Sequence, residues 1–80
     1  MFVVYILYSS SIDKYYVGYT NDFERRFAEH NHKKGKYTDG GLPWQLVHRE
    51  EYTLKGDAMK REKEIKQKKS RQYILSILSN

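Results

Sequence analysis

Eighty residues carrying a net charge of +5, with 39% hydrophobic side chains, 15% aromatic side chains and no cysteine, describe one small domain that buries about 60% of its unfolded surface. The missing cysteines exclude a disulfide framework and any thiolate zinc site. The longest apolar and aromatic stretch, MFVVYILY, falls far short of the ~20 residues of a membrane helix and lacks the basic leader of a signal peptide, so we expect a cytoplasmic protein with a single domain over 1–80 and no membrane partner.

Residues 2–8 (FVVYILY) and 14–20 (KYYVGYT) are rich in β-branched and aromatic types, and the intervening SSSID is turn chemistry. They read as an antiparallel hairpin. A four-residue loop at 9–12 sets Tyr8 against Asp13 and Tyr5 directly across from Tyr16, with Gly18 just beyond. Asn21 then opens a helix through a capping box with Glu24, and the helix runs to about His30. Phe23 and Phe27 form its core stripe, while Arg26 and His30, one turn apart, lie together at the border of that stripe.

The segment 31–43, NHKKGKYTDGGLP, is glycine-rich, basic and without periodicity, which predicts a loop of functional length or a flap. WQLVHREEY, 44–52, alternates as a third strand. Lys55-Gly56-Asp57 supplies a turn and an N-cap for a helix from Ala58 to about Lys68, with Ala58, Arg61, Glu62 and Ile65 on one face. Ser70 caps a last helix that docks through Tyr73, Ile74, Ile77 and Leu78. The fold class is α+β, a three-stranded antiparallel sheet flanked by helices.

The charge is concentrated. Residues 60–71, KREKEIKQKKSR, hold seven basic side chains against Glu62 and Glu64, net +5, and the rest of the chain is neutral. Such a cluster is the footprint of a phosphate partner, because each neutralised phosphate releases condensed counterions; Lys66 and Lys69 are candidate contacts. A solvated helix face, an acidic protein partner or a membrane surface fits the same charge.

Three strands backed by helices would gather Tyr5, Tyr16, Gly18, Arg26, His30 and Glu62. These types suit phosphodiester hydrolysis with one divalent metal. A carboxylate is an oxygen ligand that magnesium accepts alongside waters and phosphate oxygens, and an arginine fork binds phosphate and stabilises growing charge. A tyrosine serves as general base once metal and cation neighbours lower its pKa of about 10, with a histidine to relay the proton. Gly18 would let a phosphate approach the strand backbone. Each residue alone has a plainer explanation: core filling for the tyrosines, a β-bulge at Gly18, an i, i+4 pair of Glu62 with Lys66. His30 and His32 lack a convergent third ligand for zinc.

Order and spacing make the set more specific. Val3-Val4-Tyr5 and Tyr16-Val17-Gly18, the run from Thr20 to Asn31 that contains Arg26 and His30, and Ala58-Met59-Lys60-Arg61-Glu62 followed by Ile65-Lys66 together resemble a GIY-YIG nuclease domain over essentially the whole chain, in particular its short stand-alone members. The resemblance implies that Tyr5 or Tyr16 is the base, that Arg26 binds the scissile phosphate, that His30 assists proton transfer and that Glu62 holds Mg2+ or Mn2+. Val3 stands where the first motif has glycine, and Asn80 is no convincing counterpart of the late asparagine of some members. The expected function is a metal-dependent endonuclease acting on DNA, with RNA as the other substrate. The rivals are a non-catalytic nucleic-acid-binding module using the basic helix and an interaction subunit for an acidic protein.

Overall fold

The computed structural model describes residues 1–32, 40–68 and 70–79. Its elements are β1 (Phe2–Ser9), β2 (Lys14–Thr20), α1 (Phe23–His30), β3 (Gln45–Tyr52), α2 (Lys55–Lys68) and α3 (Arg71–Leu78). The three strands form one antiparallel sheet in the order β2-β1-β3. The central strand, β1, is the most apolar of the three, and residues 3–7 are buried without interruption. A strand covered on both faces has no polar side to show.

The two faces have separate cores. Val4 and Ile6 pack with Val17, Ala58 and Ile65, joined by Tyr73, Ile74 and Ile77 of α3. Val3, Tyr5 and Leu7 pack with Trp44, Phe23 and Phe27. Helix α1 and Trp44 therefore cover one face, and α2 with α3 the other. That fulfils the expected class, and it sets Tyr5 and α2 on opposite sides of the sheet.

The hairpin register differs from the expected one. Ser9 pairs with Lys14 and Tyr5 with Gly18, so the turn is 10–13 and Tyr16 lies across from Leu7. Ser9 is fully buried, and its Oγ accepts from the Ile12 backbone N–H at 3.4 Å, which keeps it in the strand. Asp13 takes the left-handed conformation, φ 54°, which aspartate tolerates in turns. The offset is two residues, so every side chain keeps its face. Tyr5 and Tyr16 remain neighbours, diagonally.

Helix starts also move. Asp22, not Asn21, caps α1, its Oδ1 accepting from the Arg25 N–H at 3.3 Å, because Thr20 Oγ1 accepts from the Asp22 N–H at 3.1 Å and carries the turn one residue further. Helix α2 begins at Lys55, three residues before Ala58, which places Asp57 in its first turn rather than at the cap; a negative charge there still complements the helix dipole. Ser70 caps α3 as expected, accepting from the Tyr73 N–H at 3.2 Å. Strand β3 carries Val47 as an extra residue, since Ile6 pairs with His48 and Leu7 with Leu46. Arg71 ties α3 to the hairpin turn, donating to Asp13 Oδ1 at 2.6 Å and to its carbonyl at 3.1 Å.

Candidate active site

Tyr5 is the centre of the face covered by α1. It is 1% exposed, and its Oη lies 3.0 Å from His30 Nε2. Tyr16 sits with its ring centroid 4.6 Å from that of His30 and 6.5 Å from that of Tyr5. Phe23 meets the Tyr5 ring edge-on at 5.6 Å and stacks on Phe27 at 5.4 Å. The i, i+4 aromatic stripe of α1 thus fixes the helix so that His30, at its last turn, is delivered to two tyrosines.

Gly18 explains itself against Tyr5. A Cβ at position 18 would lie 2.6 Å from Tyr5 Oη and 2.8 Å from Cζ. The room expected for an incoming phosphate at this backbone is filled by the domain's own phenol. Gly18 thus leaves the space that the end of the Tyr5 ring occupies.

Burial pushes the Tyr5 phenol above its ordinary value, and the Arg26 guanidinium beside it recovers part of the shift. Burial, reinforced by the Arg26 charge, pulls His30 below its ordinary value. The resting pair is therefore a neutral phenol and a neutral imidazole at pH 7. Arg26 itself is 44% exposed at its side chain and reaches Glu29 at 3.2 Å, so its fork stands at the border of the core, open to water.

Glu62 approaches from the other face. It is on α2, 20% exposed, with Lys66 Nζ 3.2 Å from its carboxylate. Its negative charge nevertheless reaches Tyr5 and raises the phenol further. The expected gathering is thus complete for Tyr5, Tyr16, Gly18, Arg26 and His30, whereas Glu62 faces them from across the sheet. Lys66 is engaged by Glu62, and Lys69 lies outside the described residues. Among the described residues no group of three or more His, Cys, Asp or Glu side chains is placed to hold a metal ion, and no helix is long and apolar enough to cross a membrane.

Two features of the surroundings are not legible in the sequence pattern as read above. Asn31 pairs with the Trp44 backbone like a one-residue strand, donating from Nδ2 to the carbonyl at 3.0 Å and accepting at Oδ1 from the N–H at 2.6 Å. That clasp seats Trp44, 5% exposed, against the Tyr16 ring at 6.2 Å. The second is a polar hub between β3 and α2. Glu50 accepts two hydrogen bonds from Arg61, at 2.9 and 3.1 Å, one from the Tyr52 hydroxyl at 2.6 Å, and bonds His48 Nε2 at 2.8 Å. Arg61 also bonds Tyr73 Oη at 3.1 Å and Glu64. Burial pushes the Glu50 carboxyl up, but the Arg61 fork with the Tyr52 and His48 bonds outweighs it and holds the group at about 2. The period-two spacing of His48, Glu50 and Tyr52 is the signal that could have revealed the hub.

A buried histidine bonded to one tyrosine and packed edge-on against a second, with an arginine fork beside them, sits on a three-stranded sheet whose edge strand adjoins Glu62; residues 1–74 match the family model of the GIY-YIG catalytic domain. The chain belongs to the GIY-YIG family, a nuclease family. Within it the chain resembles UPF0213 proteins: it is 49% identical to one from Halobacterium salinarum over 65 residues, 80% of this chain and 83% of that one. A second, from Natronomonas pharaonis, is 50% identical over 64 residues, 79% of this chain and 74% of the relative. The solution NMR structure of a UPF0213 protein from Bacillus halodurans superposes with a TM-score of 0.64 at 38% identity, covering 99% of this chain and 84% of that one.

Proposed function

We propose that this protein is a metal-dependent endonuclease that hydrolyses phosphodiester bonds, with DNA as the favoured substrate. The observation that carries the reading is the Tyr5–His30 hydrogen bond set beside the Arg26 guanidinium and the Tyr16 ring. A binding module has no use for a buried phenol–imidazole pair whose members are both held neutral. Arg26, half in water, grips the scissile phosphate and answers charge that grows on its oxygens. Tyr16 is only partly buried and is the tyrosine that a water molecule reaches. Tyr5 and His30 form the interior path along which a proton moves away.

The donor set fits one hard ion. A magnesium-type cation needs few protein oxygens and keeps water and phosphate oxygens for the rest. Glu62 is the carboxylate that would hold it, and the ion would take the place of the Lys66 ammonium that lies 3.2 Å from it. Held by Glu62, Mg2+ or Mn2+ would supply positive charge to the phosphoryl oxygens and the leaving group.

Glu62→Gln tests the reading. It keeps size and helix propensity, removes the ion's ligand and makes a cationic helix more cationic. Metal-dependent cleavage is expected to collapse while metal-free affinity for nucleic acid holds or rises. Equal cleavage by the two proteins would relocate the metal, and no cleavage by the wild type on single-stranded, duplex or branched substrates would leave a binding module.

A further inference from the structure

Tyr19 is a strand tyrosine positioned between Arg26 and Glu62 that has no part in the chemistry above. It points to the α2 side of β2, next to Gly18, and is only partly buried. Two surface grooves meet at it. One, about 550 Å3, runs from Tyr19 and Thr20 to Arg26 and Lys55. The other, about 420 Å3, runs from Tyr19 to Glu62 between Met59, Lys60 and Lys63. Met59 is 45% exposed in the midst of those lysines. A tyrosine part in the core and part at the surface, beside a half-exposed thioether and lined by lysines, has the composition of surfaces that stack bases while cations track the backbone.

We infer that Tyr19 and Met59 form a stacking site for an unpaired nucleotide beside the scissile phosphate. The inference rests on the nuclease reading for its neighbour and goes beyond it in the substrate: single-stranded or locally unpaired nucleic acid rather than a fully stacked duplex. The charge argues for this occupant. Arg26 and Lys55 stand at one end and Lys60 and Lys63 at the other, so a strand laid across Tyr19 meets cations on both sides and passes Glu62 between them. A base inside a duplex has both faces covered by its stacked neighbours, whereas an unpaired one can offer a face to a side chain.

Binding without metal tests this independently of cleavage. The probes are a short oligothymidylate, the matching oligouridylate, an abasic strand of the same length and a blunt duplex, each titrated against wild type, Tyr19→Phe and Tyr19→Leu. Leucine keeps apolar packing on the α2-side core and removes the π face, and thermal melting of each variant reports the fold. Tyr19→Phe is expected to bind every probe as wild type does. Tyr19→Leu is expected to lose about tenfold on the two base-bearing single strands and to match wild type on the abasic strand and the duplex. Equal losses on the abasic strand and oligothymidylate, or full affinity of Tyr19→Leu for all probes, would overturn stacking at this site; so would a wild-type preference for duplex. The two oligonucleotides separate DNA from RNA. A protein that shows the stacking pattern yet never cleaves retains this site and loses only the nuclease assignment.

Discussion

Gly18 and Tyr5 show how one residue's absence of a side chain becomes another's position. The glycine's place in a tyrosine-rich strand is visible in the sequence, but its partner is not. Composition alone sets the hairpin loop one residue early, because nothing local marks Ser9 as buried or Asp13 as the left-handed residue. Gly18→Ala puts a Cβ 2.6 Å from Tyr5 Oη, and the ring has nowhere free to go between Phe23, Tyr16 and His30. Overpacking of this kind costs about 1–3 kcal/mol. We expect lower thermal stability, with the Tyr5–His30 bond broken; an unchanged melting temperature would mean that the ring moves at no cost. Arg26→Ala belongs to the same scale and the opposite class. The side chain is half in water, so folding should survive while cleavage falls by a factor on the order of 100 or more. Single-turnover cleavage beside a melting curve separates the two effects.

Among the elements, α2 carries Glu62, the proposed metal ligand, and Arg61, one residue earlier, ties the helix to Glu50 of β3. The face of Ala58, Arg61, Glu62 and Ile65 is readable from helical spacing alone. The anchor is not, because it lies in β3, and alternation in a strand does not say which polar residues turn inward. With Glu50 held at about 2 against an ordinary value of 4.5, the carboxylate contributes stability that is complete above pH ~4.5 and is lost as pH falls towards 2. His30, also shifted down, adds to acid lability from below its ordinary value. Glu50→Gln is expected to be less stable by about 2 kcal/mol at neutral pH and to lose less on acidification over that window. Denaturant titrations of both proteins at several pH values check this, and parallel pH curves would remove the hub from the account. Because α2 is held by this hub, the same variant should weaken cleavage through misplacement of Glu62 while leaving metal-free binding close to wild type.

Taken whole, the molecule wears its charge on one side. Lys60, Lys63, Lys66 and Lys68 are exposed along α2, whereas Arg61 is turned inward to Glu50, so the cations that this helix shows to solvent are lysines. Lysines are point charges without the fork that reads a base edge, which argues for sequence-tolerant, salt-sensitive binding at micromolar affinity or weaker. Raising salt should weaken association steeply. Lys66→Glu with Lys69→Glu should weaken binding to all sequences alike, and lower the slope of log affinity against log salt by about 0.7–0.9 for each phosphate no longer neutralised. Affinity that ignores salt would contradict the electrostatic basis. Composition reveals this side of the molecule because net charge needs no fold to be counted. The opposition of Glu62 and Tyr5 across the sheet needs the topology.

Asn31 and Trp44 stand thirteen positions apart and are joined by two hydrogen bonds between the Asn31 side chain and the Trp44 backbone. Closing a longer segment costs only about 0.6 kcal/mol for each doubling of its length. A domain fastened in this way has a socket: foreign sequence spliced between the two residues should leave the tyrosine pair, its histidine and the melting temperature nearly as they were. Grafting peptides of increasing length there, and following unfolding alongside the proposed cleavage, measures how freely a domain this small accepts a new targeting element on the side of the sheet where Tyr16 faces Trp44.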